Sequence, residues 1–353
     1  MSRDGTIPVR PGEELQLEVL EPFLRERLEI PAAPLEVSQF PSGASNLTYL
    51  LRAGEWEAVL RRPPFGPLPP KAHDMVREAG LLKRIHPAFP LAPDPLLIVE
   101  DSALLGAPFY LMERRRGIVL DDRFPDDLPH TPERGRQISA AMVDTLVRLH
   151  DVDWKQAGLG DFGKPDGFME RQVRGWIGRY EKAKTDEWEG VEHLCRWLTD
   201  NVPTSPAATV IHNDFKLNNM LLDPRDPGRP MAVVDWEMAT IGDPLFDLAV
   251  ALGYWVRPDD PEELRNVLPT VTVLPGFYSK EEFLQAYAEK SGRDVSSFHF
   301  YLTFAYFKLA VILQQIYARW KHGQTKDPRF AGFGERVRNL IQHADGLARA
   351  GRL

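Results

Sequence analysis

Apolar residues recur along this chain at two different spacings, and the change between them divides it. Leu17, Leu20, Leu24 and Leu28 share one face of a helix expected over residues 13–30. Pro22 should kink or restart that helix, because proline has no amide hydrogen to give. From residue 35 the pattern becomes strand-like, with runs at 35–40, 47–52 and 56–61. The first two are joined by Pro41-Ser42-Gly43-Ala44-Ser45-Asn46, small and polar residues suited to a turn over a ligand. The prolines of 63–70 then end any strand in a stiff loop. A helix is expected over 71–85, with Met75, Ala79, Leu82 and Ile85 on one side, and further strands over 96–100 and 108–113.

Helical spacing dominates the rest. Residues 137–150 carry Ile138, Met142, Leu146 and Leu149, and His150 at their end reads as a capping or core residue rather than a ligand. Helices over 167–182 and 186–200 supply Trp176, Tyr180, Trp188 and Trp197 to a core or a groove. Others are expected over 280–291, 298–320 and 335–349. Two strand-and-loop stretches interrupt this pattern. In 210–222, apolar residues bracket His212, Asp214, Lys216 and Asn219, so a turn between short strands should hold acid, base and amide groups at one cleft edge. In the second, Ala232-Val233-Val234 ends in Asp235, followed by Trp236 and Glu237. Gly242-Asp243-Pro244 then marks a helix start, with Asp243 as cap only. Asp247 falls on the buried side of that helix, where a carboxylate needs partners.

Composition narrows the classes. A chain of 353 residues with 43% hydrophobic content can bury a large core, in one large domain or two. Its net charge of -8 argues against a nucleic-acid partner, which calls for a basic face. The single cysteine, Cys195, excludes an internal disulfide and sits in an amphipathic helical pattern as core filler rather than nucleophile. No run approaches the roughly eighteen apolar residues of a membrane span, and Met1-Ser2-Arg3-Asp4-Gly5 lacks an apolar signal core. A soluble, cytoplasmic protein without a membrane partner is expected.

The spacing His212-x-Asp214-x-x-x-x-Asn219 is that of the protein-kinase catalytic loop, with Asn213 in place of arginine. Asp235 falls where the kinase metal-binding aspartate would be, with Trp-Glu replacing Phe-Gly. With Lys216, the Gly242-to-Ala249 segment, Ser45 to Tyr49 and Val59 to Pro64, these residues resemble the aminoglycoside phosphotransferase and choline kinase-like family. The likeness is greatest to the branch associated with acyl-CoA dehydrogenases.

That resemblance implies an α+β, protein-kinase-like two-lobe fold: a small antiparallel-sheet nucleotide-binding lobe over 1–113 and a larger, mainly helical catalytic and acceptor-binding lobe over 114–353. It implies phosphate contacts from the turn at Gly43, Ser45 and Asn46. It also puts Arg61 where kinases carry a lysine, paired with Glu78, while Arg62 points to the other sheet face. Glu113 would contact the adenine through its main chain, and Arg114-Arg115-Arg116 reads as a solvated turn. Asp214 would be the base and Lys216 would offset phosphoryl charge, with Asn219 and Asp235 holding Mg2+. His212 and Asp247 would support the loop. Glu237, Trp236, Tyr254 and Trp255 are candidates for an acceptor pocket, and each could equally be packing. The function implied is transfer of the γ-phosphate of ATP or GTP to a hydroxyl of a small metabolite or aminoglycoside-like acceptor. Two other classes stay open: a nucleotide-binding pseudokinase, and a metal-dependent hydrolase, which would need more histidine ligands.

Overall fold

The computed structural model describes residues 5–41, 46–66, 73–268, 270–325 and 327–351. Gly43 and Ser45, the end of the proline-rich loop and the expected helix start at 71–72 lie outside the described residues. The chain forms two compact units, Met1–Arg116 with Met231–Glu237, and Gly117–Pro230 with Met238–Leu353.

The first unit is built on an antiparallel sheet of β1 (Glu36–Gln39), β2 (Leu47–Ala53), β3 (Trp56–Arg62), β4 (Pro95–Val99) and β5 (Phe109–Met112), in the order β1-β2-β3-β5-β4. Gly54, at φ 59°, supplies the positive φ that a two-residue turn between β2 and β3 requires. Helix α1 (Leu17–Arg27) buries Leu20 and Leu24 in a cluster with Leu47, Tyr49, Leu51 and Leu60 of the sheet. Pro22 does not restart α1 as the sequence allowed; it lies within one continuous helix. Helix α2 (Met75–Ile85) packs on β4 and β5. The segment from Met231 is tied to this unit where the Val233 amide donates to the Leu91 carbonyl (2.8 Å) and Trp236 meets Phe89 edge-on.

The second unit is mainly helical. Helix α3 (Pro132–His150) starts earlier than its apolar period suggested, because Thr131 caps it and Pro132 fills the first position. Helices α4 (Phe168–Ala183) and α5 (Val191–Asp200) follow. The expected start of α5 at 186 fails at Gly190, whose φ of 87° is incompatible with a helix, and Asp345 fills the space a side chain there would need. Strand β6 (Thr209–Ile211) leads to β7 (Met220–Leu222) and β8 (Pro230–Val233), and β6 pairs antiparallel with β9 (Thr240–Gly242). Helix α6 (Pro244–Gly253) is buried on every side, followed by α7 (Glu262–Val267), α8 (Lys280–Ser291), α9 (Phe298–Lys321) and α10 (Phe333–Ala350). Helix α9 packs against α4, α6 and α10. Asp243 does more than cap α6: it accepts from the Leu245 amide (2.9 Å) and from the Tyr301 hydroxyl (2.8 Å). Among the described residues no helix is long and apolar enough to cross a membrane.

Cys195 lies partly buried on α5, and burial pushes its thiol up to about 12. Its thiolate fraction at pH 8 should be lower than that of an ordinary thiol by on the order of a thousandfold. Iodoacetamide is therefore expected to alkylate the native protein far more slowly than the urea-unfolded chain. Equal rates by mass spectrometry would contradict this placement.

Candidate active site

In the first unit, β3 delivers two adjacent arginines to opposite faces of the sheet. Arg62 stacks its guanidinium over the Phe65 ring (3.7 Å) and donates to the Pro63 carbonyl. Arg61 turns the other way, toward α2, where its Nε lies 3.2 Å from Glu78 Oε2. Its NH2 group donates to Asp235 Oδ1. Burial alone would lower the Arg61 pKa, but the Glu78 and Asp235 charges outweigh it and hold the guanidinium well above its ordinary value. Glu78 is 2% exposed, and burial pushes its carboxyl up to about 7 against the opposing pull of Arg61.

Asp235 adopts a left-handed φ of 69°, a conformation that costs energy in a residue with a Cβ. The turn aims its carboxylate at Arg61 directly after the strand ends. Glu237 Oε2 accepts from Asn46 Nδ2 (2.7 Å), and Asn46 Oδ1 meets His73 Nδ1 (2.8 Å). Trp236 is 1% exposed and donates from its indole to the Val233 carbonyl, so it is packing.

The Glu113 amide is also committed, donating to the Asp94 carbonyl (2.9 Å). Of its two main-chain groups, an adenine contact would therefore fall to the carbonyl. Arg116 is solvated as expected, with its side chain 67% exposed, but Arg114 is not. Both pair with Glu57 of β3, and burial of the Arg114 side chain leaves it 8% exposed.

In the second unit, the chain leaving β6 is pinned by α6. The amides of His212 and Asn213 donate to the two oxygens of Asp247 (2.7 and 2.6 Å). Asp247 also meets His150 Nε2 at 3.2 Å, while His150 Nδ1 lies 2.7 Å from the Tyr287 hydroxyl. These partners imply a neutral His150 with its proton on Nε2, accepting from Tyr287 at Nδ1. Burial favours this form by lowering the His150 pKa. Burial pushes the Asp247 carboxyl up, but the hydrogen bonds from His150 and from the His212 amide bring it below its ordinary value. Asn213 takes a left-handed φ of 65°, which turns the chain toward Asp214.

Beyond that turn, Asp214 Oδ2 lies 3.0 Å from Lys216 Nζ. Asn219 Nδ2 donates to both the Asp214 carbonyl (2.9 Å) and Oδ2 (3.1 Å), so the amide oxygen of Asn219 is turned away from Asp214. Lys216 stands over the Tyr254 ring, 5.1 Å from its centroid. Burial, with Asp214 adding to it, pushes the Tyr254 phenol up to about 12. Trp255 is closed off from any acceptor. It donates to the Tyr278 carbonyl (2.9 Å) and packs edge-on against Phe277 and Phe283.

The second unit thus presents a carboxylate beside a cation and an amide donor, and the first holds a carboxylate against a buried arginine. Among the described residues no three His, Cys, Asp or Glu side chains group to hold a metal. Sequence reasoning missed two contacts here: His150 beneath Asp247, and Lys308 of α9 on Asn213.

A family model described as the phosphotransferase enzyme family matches residues 36–270. Acyl-CoA dehydrogenase family member 10 of Mus musculus is 33% identical over 342 residues, covering 96% of this chain and 32% of that protein. The chain therefore spans about a third of that relative's length. A crystal structure from Ralstonia eutropha, described as a candidate aminoglycoside phosphotransferase, is 28% identical with a TM-score of 0.82, covering 96% of this chain and 99% of that one. Aminoglycoside phosphotransferase APH(4)-Ia, in ternary complex with AMP-PNP and hygromycin B, matches at TM-score 0.59 and 17% identity over 94% of this chain and 98% of that one. At that identity the second structure supports the fold alone.

Proposed function

The chain belongs to the phosphotransferase enzyme family, and from that premise we propose that it is a small-molecule kinase transferring the γ-phosphate of ATP, or of GTP, to a hydroxyl group. The observation that carries this reading is the setting of Asp214, whose carboxylate lies within 3.1 Å of both Lys216 Nζ and Asn219 Nδ2 in a loop whose preceding amides end on Asp247. Phosphoryl transfer needs alignment and charge neutralisation more than covalent chemistry. Asp214 holds the acceptor hydroxyl and takes its proton. Lys216 offsets charge on the transferring group, and Arg61, oriented by Glu78, neutralises the nucleotide phosphates. Asn46 lies beside those phosphates, and the Glu113 carbonyl meets the base. Tyr254, beside Lys216, lines the acceptor side.

Asn219 and Asp235 would hold Mg2+. Each offers a hard oxygen: the Asn219 amide oxygen faces away from Asp214, and Asp235 meets Arg61 through Oδ1. Magnesium takes hard oxygen ligands, keeps several waters and needs few from protein. When bound it would neutralise phosphate charge. The histidine-poor site supports this better than a hydrolase built on a protein-held metal.

The named relative's link to acyl-CoA chemistry suggests hydroxylated acyl compounds as one acceptor class to test, and the description of the 28%-identical Ralstonia structure suggests aminoglycosides as another. Release of ADP or GDP from the Mg2+ nucleotide, with pooled hydroxy acids, acyl-CoA derivatives, aminoglycosides and amino alcohols, tests the reading. Acceptor-dependent release supports it; nucleotide binding without turnover in any pool favours a pseudokinase.

Glu78 makes a further prediction. With its carboxyl pushed up to about 7, Glu78 loses charge as pH falls through that value and no longer orients Arg61. Nucleotide KM should therefore rise toward acid pH. Glu78→Gln should raise KM by about tenfold at pH 8, the size of one charge-assisted contact, and abolish the acid dependence. An unchanged KM profile would remove Glu78 from the nucleotide site.

A further inference from the structure

Lys308 lies near the middle of α9, 5% exposed. Its ammonium group is held among aromatic rings, 5.1 Å from the centroid of Phe246 on α6 and 5.7 Å from that of Trp176 on α4. Such a site is costly for a cation unless its donors are used. They are: Nζ donates to the Asn213 carbonyl (3.0 Å) and to Asn213 Oδ1 (2.9 Å).

Asn213 is thereby gripped on both sides. Its amide ends on Asp247 of α6, its carbonyl and side-chain oxygen on Lys308 of α9, and its Nδ2 on the Met238 carbonyl (3.3 Å). Asparagine tolerates the left-handed region better than most residues with a Cβ, and these bonds fix Asn213 in that conformation. The next residue is Asp214.

We propose that Lys308 is a positioning residue that locks the left-handed turn at Asn213 and so sets the direction of the Asp214 carboxylate. This rests on the reading of Asp214 as the base. The alternative is that Lys308 only braces the fold, and a local readout separates the two. Methionine is of similar length and removes the buried charge, but it leaves the Asn213 carbonyl and Oδ1 without their donor, so some stability is lost under either role. Methionine cannot hold Asn213.

Titration adds a second handle. Burial lowers the Lys308 ammonium to about 8, with Asp214 and Asp247 opposing that fall and Lys216 and Arg179 deepening it. Above that value the amine is neutral; it keeps two N–H donors and loses its charge. Because the folded pKa lies below the unfolded one, the native state binds fewer protons between the two. Stability should therefore rise with pH from about 8 toward 10.5.

The test compares the full chain with Lys308→Met and Lys308→Arg in thermal unfolding, in hydrogen exchange of the 209–220 segment, and in turnover from pH 6 to 10. For Lys308→Met we expect a modestly lower Tm, and exchange at 212–214 faster by about tenfold under conditions where the chain stays folded. We also expect kcat lower by about a hundredfold, as misplacement by an ångström produces, with nucleotide KM within about threefold. Lys308→Arg should recover part of kcat, and the wild-type inflection near pH 8 should be absent from Lys308→Met. Unchanged exchange and kcat would overturn the proposal. So would losses in both variants that merely track the unfolded fraction. If the wild type turns over no acceptor, the kinase reading fails on that result, and exchange still decides whether Lys308 holds the turn.

Discussion

Asp214→Asn is expected to lower kcat by on the order of 10²–10⁴, the contribution of a positioned general base, while the nucleotide Kd stays within about threefold. The substitution keeps the size of the side chain and an oxygen toward Lys216, which lies 3.0 Å from the native carboxylate. What it removes is the basic oxygen that, in the proposed reading, takes the acceptor proton. The loss should therefore fall on kcat rather than on binding. Asp235→Asn should separate from it by weakening the dependence on Mg2+ concentration, because Asp235 is assigned to the cation. Equal acceptor turnover in wild type and Asp214→Asn, with matched nucleotide binding, would mean that the base is another group or that the acceptor arrives ionised.

The loop around Asp214 was legible in the sequence because its chemistry is local: His212, Asp214, Lys216 and Asn219 lie within eight residues, bracketed by apolar strands. The β3 arginine and its α2 partner were also legible, since a strand places Arg61 and Arg62 on opposite faces and only one can meet Glu78. Direction was harder to read than presence. Glu237 and Trp255 stand near functional residues in sequence, yet one turns to Asn46 and the other into an aromatic core. Helix α5 begins later than its period suggested because Gly190 adopts a conformation that periodicity does not register.

Lys308 was missed for a different reason. It interrupts Phe304-Ala305-Tyr306-Phe307 and Leu309-Ala310-Val311, a charge inside an apolar run, and that is a sign of burial with a partner. The partner, however, lies 95 residues away and is a backbone carbonyl as much as a side chain. No pattern in one sequence announces such a contact. The same holds for Tyr301 on Asp243 and Tyr287 on His150.

Asp247→Ala should cost about 3–5 kcal/mol of stability, the penalty for breaking a buried charged network from one side. Asp247 is fully buried and accepts from the His212 amide, the Asn213 amide and His150 Nε2. Removing it leaves two main-chain donors and an imidazole N–H without that acceptor in a site that water does not reach. Urea unfolding should show a lower midpoint at unchanged slope.

The pH dependence has a definite sign. The Asp247 carboxyl lies below its ordinary value in the folded protein, so its contribution is complete above the unfolded pKa of about 3.9 and is lost as pH falls through the folded value. The stability gap between wild type and Asp247→Ala should therefore be widest near neutrality and narrow on acidification. A gap that grows toward acid would mean that Asp247 is protonated in the native state and donates rather than accepts. The loop amides of His212 and Asn213 would then need another explanation for their order.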